Sequence, residues 1–553
     1  MNKSCRIAVL MLCIFPFQFL LAQKNNCSTI VYEQLENGKL EADKTITLKC
    51  NNSFASIKNS STTERFFEDY IAQNTIKIST FGDKKYAVFT SLDSLPKSIS
   101  TNETDTILGF VCRKLKYEIF SNHIEVWVTD KANCKGSPSI SFVPKDALVL
   151  KYVMNGSRTV LAKSIKTSDE KIEQPKQDFI KMDDPQYAAV QIKSRFTSIA
   201  VFNHQQINFE NDIKNPTAYN ENVVYRFSKG NVILKKIKLP KENSKGNFFV
   251  QLTDWSSGDA YDRVGSVFTF SAKKEKSMLD ALQKGINEIP FYTDHKNEKY
   301  QGIVATQNYS PAIELMRFFT PFGVNYFNEK RMIAGYHWSD SVVYKQDVSA
   351  LIPTNENEIW IGAYIGNYDK GGHKVSLELD FYPEAEQPIS NKYIAPLFNT
   401  VNILEAAGQN YGKLFENDSL KMQFEIPDLI KDLQLLFTTT GHGGWENGDE
   451  FNPKLNQIFV DGKSVFQITP WRTDCGTYRL HNPASGNFPD GLSSSDFSRS
   501  NWCPGALTPP YLVPLKNLTK GIHTLQVVID QGKSEGGSFS HWCISGVLVG
   551  NKK

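Results

Sequence analysis

The chain has 553 residues, too many for one hydrophobic core, and this length suggests three or four domains. Its net charge is only +3 and its basic residues are dispersed, which argues against nucleic acid as a partner. Aromatic residues make up 12% of the chain, and with many Asn and Gly this composition leans towards β-rich, carbohydrate-handling proteins.

The first 22 residues have the pattern of a signal peptide. Lys3 and Arg6 precede an apolar run over residues 7–21, which closes on Ala22. The run is shorter than a typical membrane span, and no later stretch is apolar enough to be one. We therefore expect cleavage after residue 22 and a secreted or periplasmic protein without a membrane span.

Removal of that peptide leaves seven cysteines in an oxidising compartment, where pairing is expected. Four lie near the amino end and three near the carboxyl end: Cys27, Cys50, Cys112, Cys134, Cys475, Cys503 and Cys543. We predict the pairs Cys475–Cys503 and Cys112–Cys134. Cys543 lies in an apolar run and is interpreted as a buried core residue.

Residues 23–163 predict a β-rich accessory domain. Short alternating segments at 76–80, 86–90, 107–115, 123–129 and 147–154 are separated by turns. Residues 107–130, ILGFVCRKLKYEIFSNHIEVWVTD, resemble secreted proteins named for a GLPGLI motif. The charged, apolar-poor run that follows is interpreted as a linker over residues 164–195.

Strand patterns resume near residue 196 and continue to the end of the chain, with helical periodicity only at 277–286. Many short strands with turns between them predict antiparallel sandwiches or jelly rolls, one over 196–388 and one over 389–553. A Pro-rich hinge at 383–388 separates them. A cleft between two sandwiches is a natural place for a site.

The polar turn at residues 256–259 leads to Tyr261, Asp262 and Arg263 at the start of a strand, 264–270. Sites are often built at such strand ends, on loops held by a rigid sheet. An isolated Asp-Arg pair is more often a surface salt bridge, so a functional interpretation depends on the rest of the chain.

Residues 438–452, TTTGHGGWENGDEFN, place acids and amides beside His442 and Trp445. Four glycines make a helix implausible, so this is predicted to be a loop leaving a strand. A metal site using His442 with Asp449 or Glu450 would lack both the i, i+4 spacing and a second nearby histidine. We expect no metal; the alternative is a catalytic carboxylate.

Three further segments make the catalytic interpretation specific: WRTDCGTYRLHNP (471–483), SRSNWCPGALTPP (498–510) and AYDRVGSVF (260–268). Together they resemble the peptide-N-glycosidase F family, and RFFTPF (317–322) and YIAPLFNTVN (393–402) match other family segments in order. The resemblance covers residues 196–553. It implies two adjacent eight-stranded jelly rolls with the site between them, here preceded by a β-rich amino-terminal domain.

That resemblance implies Asp262 and Glu450 as the catalytic acids, with Arg263 and Arg499 as the family arginines and Cys475–Cys503 as the family disulfide. The side chains expected to contact the sugar are Trp445, Trp502, Tyr364 and His442, although burial of Trp502 in a core is equally open. The family's third active-site glutamate is replaced here by Gly362 or Ala363. Tyr364 takes the place of a nearby family tryptophan.

The implied activity is hydrolysis of the amide between asparagine and the first N-acetylglucosamine of an N-glycan, by a monomer that uses no cofactor. Asp262 would hold or deprotonate a water and Glu450 would donate a proton, although spacing leaves open which acid does which. The implied partners are N-glycosylated proteins or glycopeptides. The alternatives are a non-catalytic glycan-binding protein and a copper-dependent oxygenase, for which the nine histidines show no paired pattern.

Overall fold

The computed structural model describes residues 27–175, 178–215, 219–240, 246–270, 275–353, 356–383, 392–428, 430–443, 448–516, 518–533 and 540–552. The chain divides into two compact units, Met1–Ser194 and Arg195–Lys553. The predicted signal peptide and most of the predicted hinge lie outside the described residues. In the described part, no helix has the length and apolar character needed to cross a membrane.

The first unit is built on one sheet of twelve strands. These are β1 Cys27–Glu36, β2 Lys39–Cys50, β3 Phe54–Asn59, β4 Arg65–Asp69, β5 Asn74–Phe81, β6 Lys84–Ser91, β7 Ile99–Ile107, β8 Phe110–Ile119, β9 Asn122–Thr129, β10 Leu148–Met154, β11 Arg158–Ser168 and β12 Phe179–Lys181, followed by helix α1 Asp184–Ser194. Their order is β12-β6-β5-β4-β3-β2-β1-β11-β10-β9-β8-β7. Only β12 pairs in parallel, with β6. Alternation places Ile124, Val126 and Val128 of β9 in the core, as the two-residue period requires.

Two predictions for this unit are wrong. The segment 107–115, predicted as one strand, is a hairpin whose turn residues Leu108 and Gly109 have φ of 50° and 83°. Turns with two positive φ values match the twist of the flanking strands. Residues 164–195, predicted as linker, instead contain the end of β11, all of β12 and α1. Tyr187 of α1 is buried and donates a hydrogen bond to Glu64 (2.7 Å).

The predicted Cys112–Cys134 disulfide is also wrong. The Cys112 thiol is buried on β8 and donates to the Phe110 carbonyl (3.5 Å). Cys134 follows β9 in a loop that folds over the end of β2, where its sulfur lies 2.8 Å from that of Cys50. Strand order therefore selects Cys50 as the neighbour of Cys134.

The second unit contains two antiparallel sandwiches. Its strands are β13 Thr197–Ile207, β14 Val224–Phe227, β15 Val232–Lys238, β16 Gly246–Ser256, β17 Val264–Phe270, β18 Phe291–Thr293, β19 Lys299–Gln301, β20 Ile313–Phe319, β21 Val342–Asp347, β22 Glu358–Ile365, β23 His373–Pro383, β24 Lys392–Asn399, β25 Leu420–Ile426, β26 Ile430–His442, β27 Asn456–Val460, β28 Lys463–Ile468, β29 Leu507–Thr508, β30 Tyr511–Pro514, β31 Gly521–Ile529 and β32 His541–Lys552. Its helices are α2 Met278–Lys284 and α3 Leu414–Asn417.

The first sandwich joins the sheets β13-β23-β16-β21 and β14-β15-β22-β17-β20-β29, and the second joins β24-β32-β26-β30 and β25-β31-β27-β28. The all-β prediction with two jelly rolls is confirmed. Strand β29 comes from the second half of the chain yet extends the sheet of the first roll, with Thr508 opposite Arg317.

A buried ion pair lies where the two rolls meet. Arg317 donates to both oxygens of Glu314 (2.9 and 2.6 Å), and it also donates to Thr440 of β26 (3.0 Å) and to the carbonyl of Cys543. Ser545 of β32 donates to Glu314 (2.6 Å). A buried charge is tolerated only when it is paired and hydrogen-bonded. This seam therefore fixes β20 against β26 and β32.

Candidate active site

Asp262 stands two residues before β17, in the tight loop that follows β16. Ser256, the last residue of β16, donates from its hydroxyl to the carbonyl of Asp259 (2.6 Å), and Gly258 has a φ of 138° that glycine adopts readily. The backbone N–H of Arg263 donates to the Thr320 hydroxyl (2.8 Å). These bonds fix the loop at the end of the first roll where β17 begins.

Arg499 joins the two predicted catalytic acids. Its Nη1 donates to Asp262 Oδ2 (3.0 Å) and to Glu450 Oε1, while Nη2 donates to the Ser494 hydroxyl (3.2 Å). The arginine side chain is 1% exposed, and those of Asp262 and Glu450 are 16% and 21% exposed. Three residues widely separated in the sequence thus meet at one buried guanidinium.

The segment that carries Arg499 is held from several sides. Arg499 pairs with Arg472 through two backbone hydrogen bonds (2.8 and 3.1 Å), and a disulfide joins Cys475 to Cys503. The guanidinium also lies 4.5 Å from the centre of the Trp502 ring and 5.0 Å from that of Phe451. Cations are stabilised over aromatic faces, and the arginine is therefore fixed before any substrate arrives.

Glu450 sits in the loop after β26, which is attached directly to the Arg499 segment. The Ser500 N–H donates to the Glu450 carbonyl (3.0 Å) and the Ser500 hydroxyl donates to the Asp449 carbonyl. The Asp449 carboxylate is buried and accepts from Trp542 Nε1 (2.7 Å) and the Gly532 N–H (3.0 Å). Asp449 is therefore committed to holding this loop, which leaves Glu450 to face Asp262.

Burial governs the charge state of both acids. It raises the pKa of Asp262, although Arg499 and Arg263 oppose this rise. It raises the pKa of Glu450 to about 7, against the attraction of Arg499 and with a further contribution from the Asp262 charge. One arginine cannot fully neutralise two carboxylates. Glu450 is therefore the acid that keeps its proton near neutral pH.

Arg263 is next to Asp262 in the sequence, but its side chain pairs with a different carboxylate. Its Nε and Nη2 donate to the two carboxylate oxygens of Asp259 (2.8 and 3.2 Å), a residue four positions earlier in the same loop. Its charge still lowers the pKa of Asp262, after that of Arg499.

Two of the aromatic residues predicted to contact the sugar are instead buried. Trp502 is 3% exposed, donates from its indole N–H to the Gly441 carbonyl (2.9 Å) and stacks on Phe319, so it supports Arg499 from within the core. Tyr364 is 1% exposed and lies beneath the surface of β22. Neither presents its ring to a substrate. Trp445 lies outside the described residues.

His442 ends β26 and is 8% exposed. The Thr440 hydroxyl accepts from Arg317 (3.0 Å) and lies 2.8 Å from His442 Nε2, to which it can donate its own proton. His442 then carries its proton on Nδ1. Burial lowers its pKa well below the usual range, and His541, Arg317 and Arg499 lower it further, so the ring is neutral.

Among the described residues, one group has the composition of a metal site: His442, His541 and Cys543, whose ligand atoms lie within 4.8 Å of one another. The two imidazoles stack at 4.9 Å with 22° between their planes, so their in-plane lone pairs run side by side and do not converge. His442 Nε2 accepts from Thr440, and two arginine charges lie close enough to disfavour a cation. The group fits a metal poorly.

Sequence reasoning missed a carboxylate with three donors. Glu405 accepts hydrogen bonds from Tyr411 (2.7 Å), Tyr368 and the Asn402 side chain (2.8 Å). The Arg263 guanidinium lies 5.8 Å from the Tyr368 ring, and Tyr411 meets His541 edge-on at 5.3 Å. His541 in turn stacks on His442, which stacks on Trp502 at 5.5 Å. Contacts thus connect Glu405 to the group of Asp262, Arg499 and Glu450 from both sides.

A signal for Glu405 was present in the sequence, because it lies three residues after Asn402, the end of a segment that resembles the family. At Gly362 a Cβ atom would lie 2.4 Å from the Phe268 ring, and Ala363 is fully buried. No glutamate fits at either position.

Comparison with known families covers most of the chain. Residues 198–381 match the family described as peptide-N-glycosidase F, N terminal, and residues 410–549 match its C-terminal counterpart. Residues 23–188 match the family described as N-glycanase peptide, N-terminal domain. The comparison with curated proteins gave no match.

Two solved structures are similar to nearly the whole chain. A structure of PNGF-II in space group P21 is 40% identical, with a TM-score of 0.87, and the alignment covers 96% of this chain and 100% of that one. PNGF-II in space group C2 is 40% identical, with a TM-score of 0.84, over 96% of this chain and 98% of that one. The chain belongs to the peptide-N-glycosidase F family, and it is an amidase of the N-glycanase type with an additional amino-terminal domain.

Proposed function

We propose that the protein is exported and hydrolyses the amide between an asparagine side chain and the first N-acetylglucosamine of an N-glycan. The products are an aspartate in the peptide and a glycosylamine. The observation that carries this proposal is the shared guanidinium of Arg499, which holds Asp262 and Glu450 together while their environments give them different charge states.

The two acids then divide the work. Ionised Asp262 accepts a proton from a water, whose oxygen forms a bond to the amide carbonyl carbon. Protonated Glu450 donates to the departing nitrogen as the carbon–nitrogen bond breaks. Arg499 supplies fixed positive charge where charge develops on the carbonyl oxygen. A preorganised donor of this kind typically contributes about 10²–10³ in rate.

Recognition of the glycan is assigned to the side chains between Arg263 and Trp502, here called the sugar wall and defined as Tyr368, Glu405, Tyr411, His541 and His442. It combines aromatic rings with a carboxylate and a neutral imidazole. Such a surface suits the hydroxyl and acetamido groups of N-acetylglucosamine.

The location and the domain roles are also proposals. The amino-terminal pattern with Lys3, Arg6 and Ala22 supports export through a cleaved signal peptide. The first unit is assigned a role in presenting or selecting substrate, because both acids, Arg499 and the sugar wall belong to the second unit.

The decisive experiment is incubation of the purified protein with a defined N-glycopeptide in ¹⁸O-labelled water, followed by mass analysis. We expect a peptide carrying aspartate with one heavy oxygen in that side chain. A peptide that keeps one N-acetylglucosamine would identify a glycosidase. Asp262→Asn and Glu450→Gln should lose turnover and keep glycopeptide binding, whereas Asp83→Asn, an exposed position in the first unit, should behave as wild type.

The same assay separates the two alternatives. A glycan-binding protein would bind the glycopeptide and leave its mass unchanged. A copper-dependent oxygenase would need dioxygen and a reductant and would add oxygen from dioxygen, not from water. Heavy oxygen from water in the aspartate is incompatible with both.

A further inference from the structure

Behind the Asp262 loop lies a chain of four ionisable side chains that the proposed reaction does not use: Asp254, His373, Asp259 and Arg263. The side chains of Asp254 and His373 are fully buried and that of Asp259 is 1% exposed. Arg263, at the outer end, is 20% exposed. Burying so many charges is costly unless they compensate one another.

The four side chains lie in a row, and their charges alternate in sign along it. His373 Nδ1 lies 3.0 Å from Asp254 Oδ1, and His373 Nε2 lies 4.0 Å from Asp259 Oδ2. Asp259 then accepts two hydrogen bonds from Arg263 (2.8 and 3.2 Å). The next residue to Arg263 is Asp262, so the chain of charges ends beside a catalytic acid.

The local sequence is built to allow this arrangement. His373 begins β23 opposite Ser256, and the Ser257 N–H donates to the Gly372 carbonyl (2.8 Å). At Gly371 a Cβ atom would lie 2.5 Å from the Ser257 carbonyl oxygen, so only glycine lets the loop press against this turn. That close approach brings Asp259 over His373.

Several groups face the imidazole. Asp254 comes from β16, Asp259 and Arg263 come from the loop, and Tyr344 of β21 lies within electrostatic range of Asp254. Burial alone would lower the pKa of His373, but Asp254 and Asp259 outweigh it and raise that pKa. His373 Nδ1 and Asp254 Oδ1 are within hydrogen-bond distance, whereas His373 Nε2 and Asp259 Oδ2 are too far apart for a hydrogen bond and attract one another through charge.

We propose that Asp254, His373 and Asp259 are positioning residues that hold the Arg263 guanidinium on Asp259 and away from Asp262. This inference rests on the proposed function. An adjacent guanidinium left free would pair with Asp262 and compete with Arg499 for the same carboxylate. These four side chains, here called the relay, therefore leave Asp262 with Arg499 as its arginine partner. Its second carboxylate oxygen can then accept a hydrogen bond from water.

The test measures kcat, KM and the acid limb of the pH–rate profile on the glycopeptide. In Asp259→Asn the freed Arg263 should stabilise ionised Asp262, moving the acid limb to lower pH and lowering kcat at least tenfold while KM changes little. In His373→Gln, Asp259 loses the cation on its other side and holds Arg263 less firmly, so the acid limb should also move to lower pH, by less than in Asp259→Asn. A purely structural role predicts a loss of kcat with an unmoved acid limb, and that result would overturn the proposal.

Two further variants guard against misfolding of the buried positions. Arg263→Lys keeps the charge at a partly exposed site and loses the two-bonded anchor, so it should shift the limb in the same direction as Asp259→Asn. Unchanged kinetics in Arg263→Lys would also overturn the relay. His204→Gln, an exposed imidazole on neighbouring β13, is the matched control and should leave kcat and the limb unchanged.

A measurement independent of activity separates this inference from the proposed function. In ¹⁵N-labelled protein, the His373 signals, identified by their loss in His373→Gln, should be those of an imidazolium at pH 7. A neutral His373 ring would contradict the relay even in a fully active enzyme. An imidazolium in an inactive enzyme would sustain the charge chain and sink the proposed reaction.

Discussion

Glu450 and Asp262 both accept hydrogen bonds from Arg499, yet they should limit activity at opposite ends of the pH range. Asp262 must be ionised, so activity should fall as pH drops through its raised pKa. Glu450 must be protonated, so activity should fall as pH rises above about 7. We expect a bell-shaped dependence of kcat/KM on pH, measured with the glycopeptide.

The alkaline limb is the more specific part of this prediction. Glu450→Gln should lower kcat by about 10²–10⁴ and remove the alkaline limb, since the remaining activity no longer depends on that proton. Glu425→Gln, an exposed glutamate on β25, is the control. An alkaline limb that persists in Glu450→Gln would assign proton donation to another group.

Glu405 offers a separate prediction, because its carboxylate is held by two phenols and an amide rather than by an arginine. If the sugar wall binds glycan, Glu405→Gln should raise KM about tenfold and change kcat less. Hydrogen bonds to a charged group are worth about 1.5–3 kcal/mol. Steady-state kinetics on a glycopeptide would show this, and a fall in kcat with unchanged KM would place Glu405 in the chemistry.

Family motifs predicted the group of Asp262, Glu450 and Arg499, but residue patterns missed Glu405 and did not predict how each side chain is used. Asp262, Glu450 and Arg499 were identified through family motifs, and the structure brings them into contact. The partner of Arg263 could not be predicted, because Asp259 reaches it through a loop turn rather than a helical repeat. For Trp502 the sequence left a sugar contact and a core position equally open, and the structure places it in the core, where its N–H donates to the Gly441 carbonyl.

At the scale of elements, the end of β26 depends on close packing at Gly441. A Cβ atom there would lie 2.7 Å from the Trp542 ring and 3.0 Å from Ser500 Cβ. Gly441→Ala should displace Trp542, which holds Asp449, and destabilise the protein by about 1–3 kcal/mol. The melting temperature and kcat should both be lower than in the wild type.

The matched control for this prediction is Gly476→Ala, where a Cβ atom would meet nothing within 4 Å. Its melting temperature should equal that of wild type or slightly exceed it. Equal stability of the two variants would show that the Gly441 contact is not tight.

Strands with regular alternation were predicted well, whereas turns and sparse segments were not. The hairpin at Leu108 and Gly109 interrupts an apolar run that carries no obvious break in sequence. Strand β12 lies in a charged stretch and forms because β6 offers it an open edge. Such tertiary opportunities are invisible to local patterns.

At the scale of the whole molecule, the residues assigned to chemistry and to glycan binding all lie in Arg195–Lys553. A protein that begins at Arg195 should therefore cleave small glycopeptides with kcat/KM within about threefold of the full chain. Circular dichroism checks its folding. A folded but inactive fragment would show that the first unit contributes to the reaction itself.

The seam at Arg317 has a consequence for how the molecule can be assembled. The first roll receives β29 and the partners of its buried ion pair from residues that follow it in the chain. Fragments 195–383 and 392–553 should each remain unfolded or aggregate alone, and regain one cooperative melting transition and activity when co-refolded. An independent transition in fragment 195–383 would contradict this, whereas its failure to fold alone would mean that the emerging first roll stays incomplete until β29 and β32 have been synthesised.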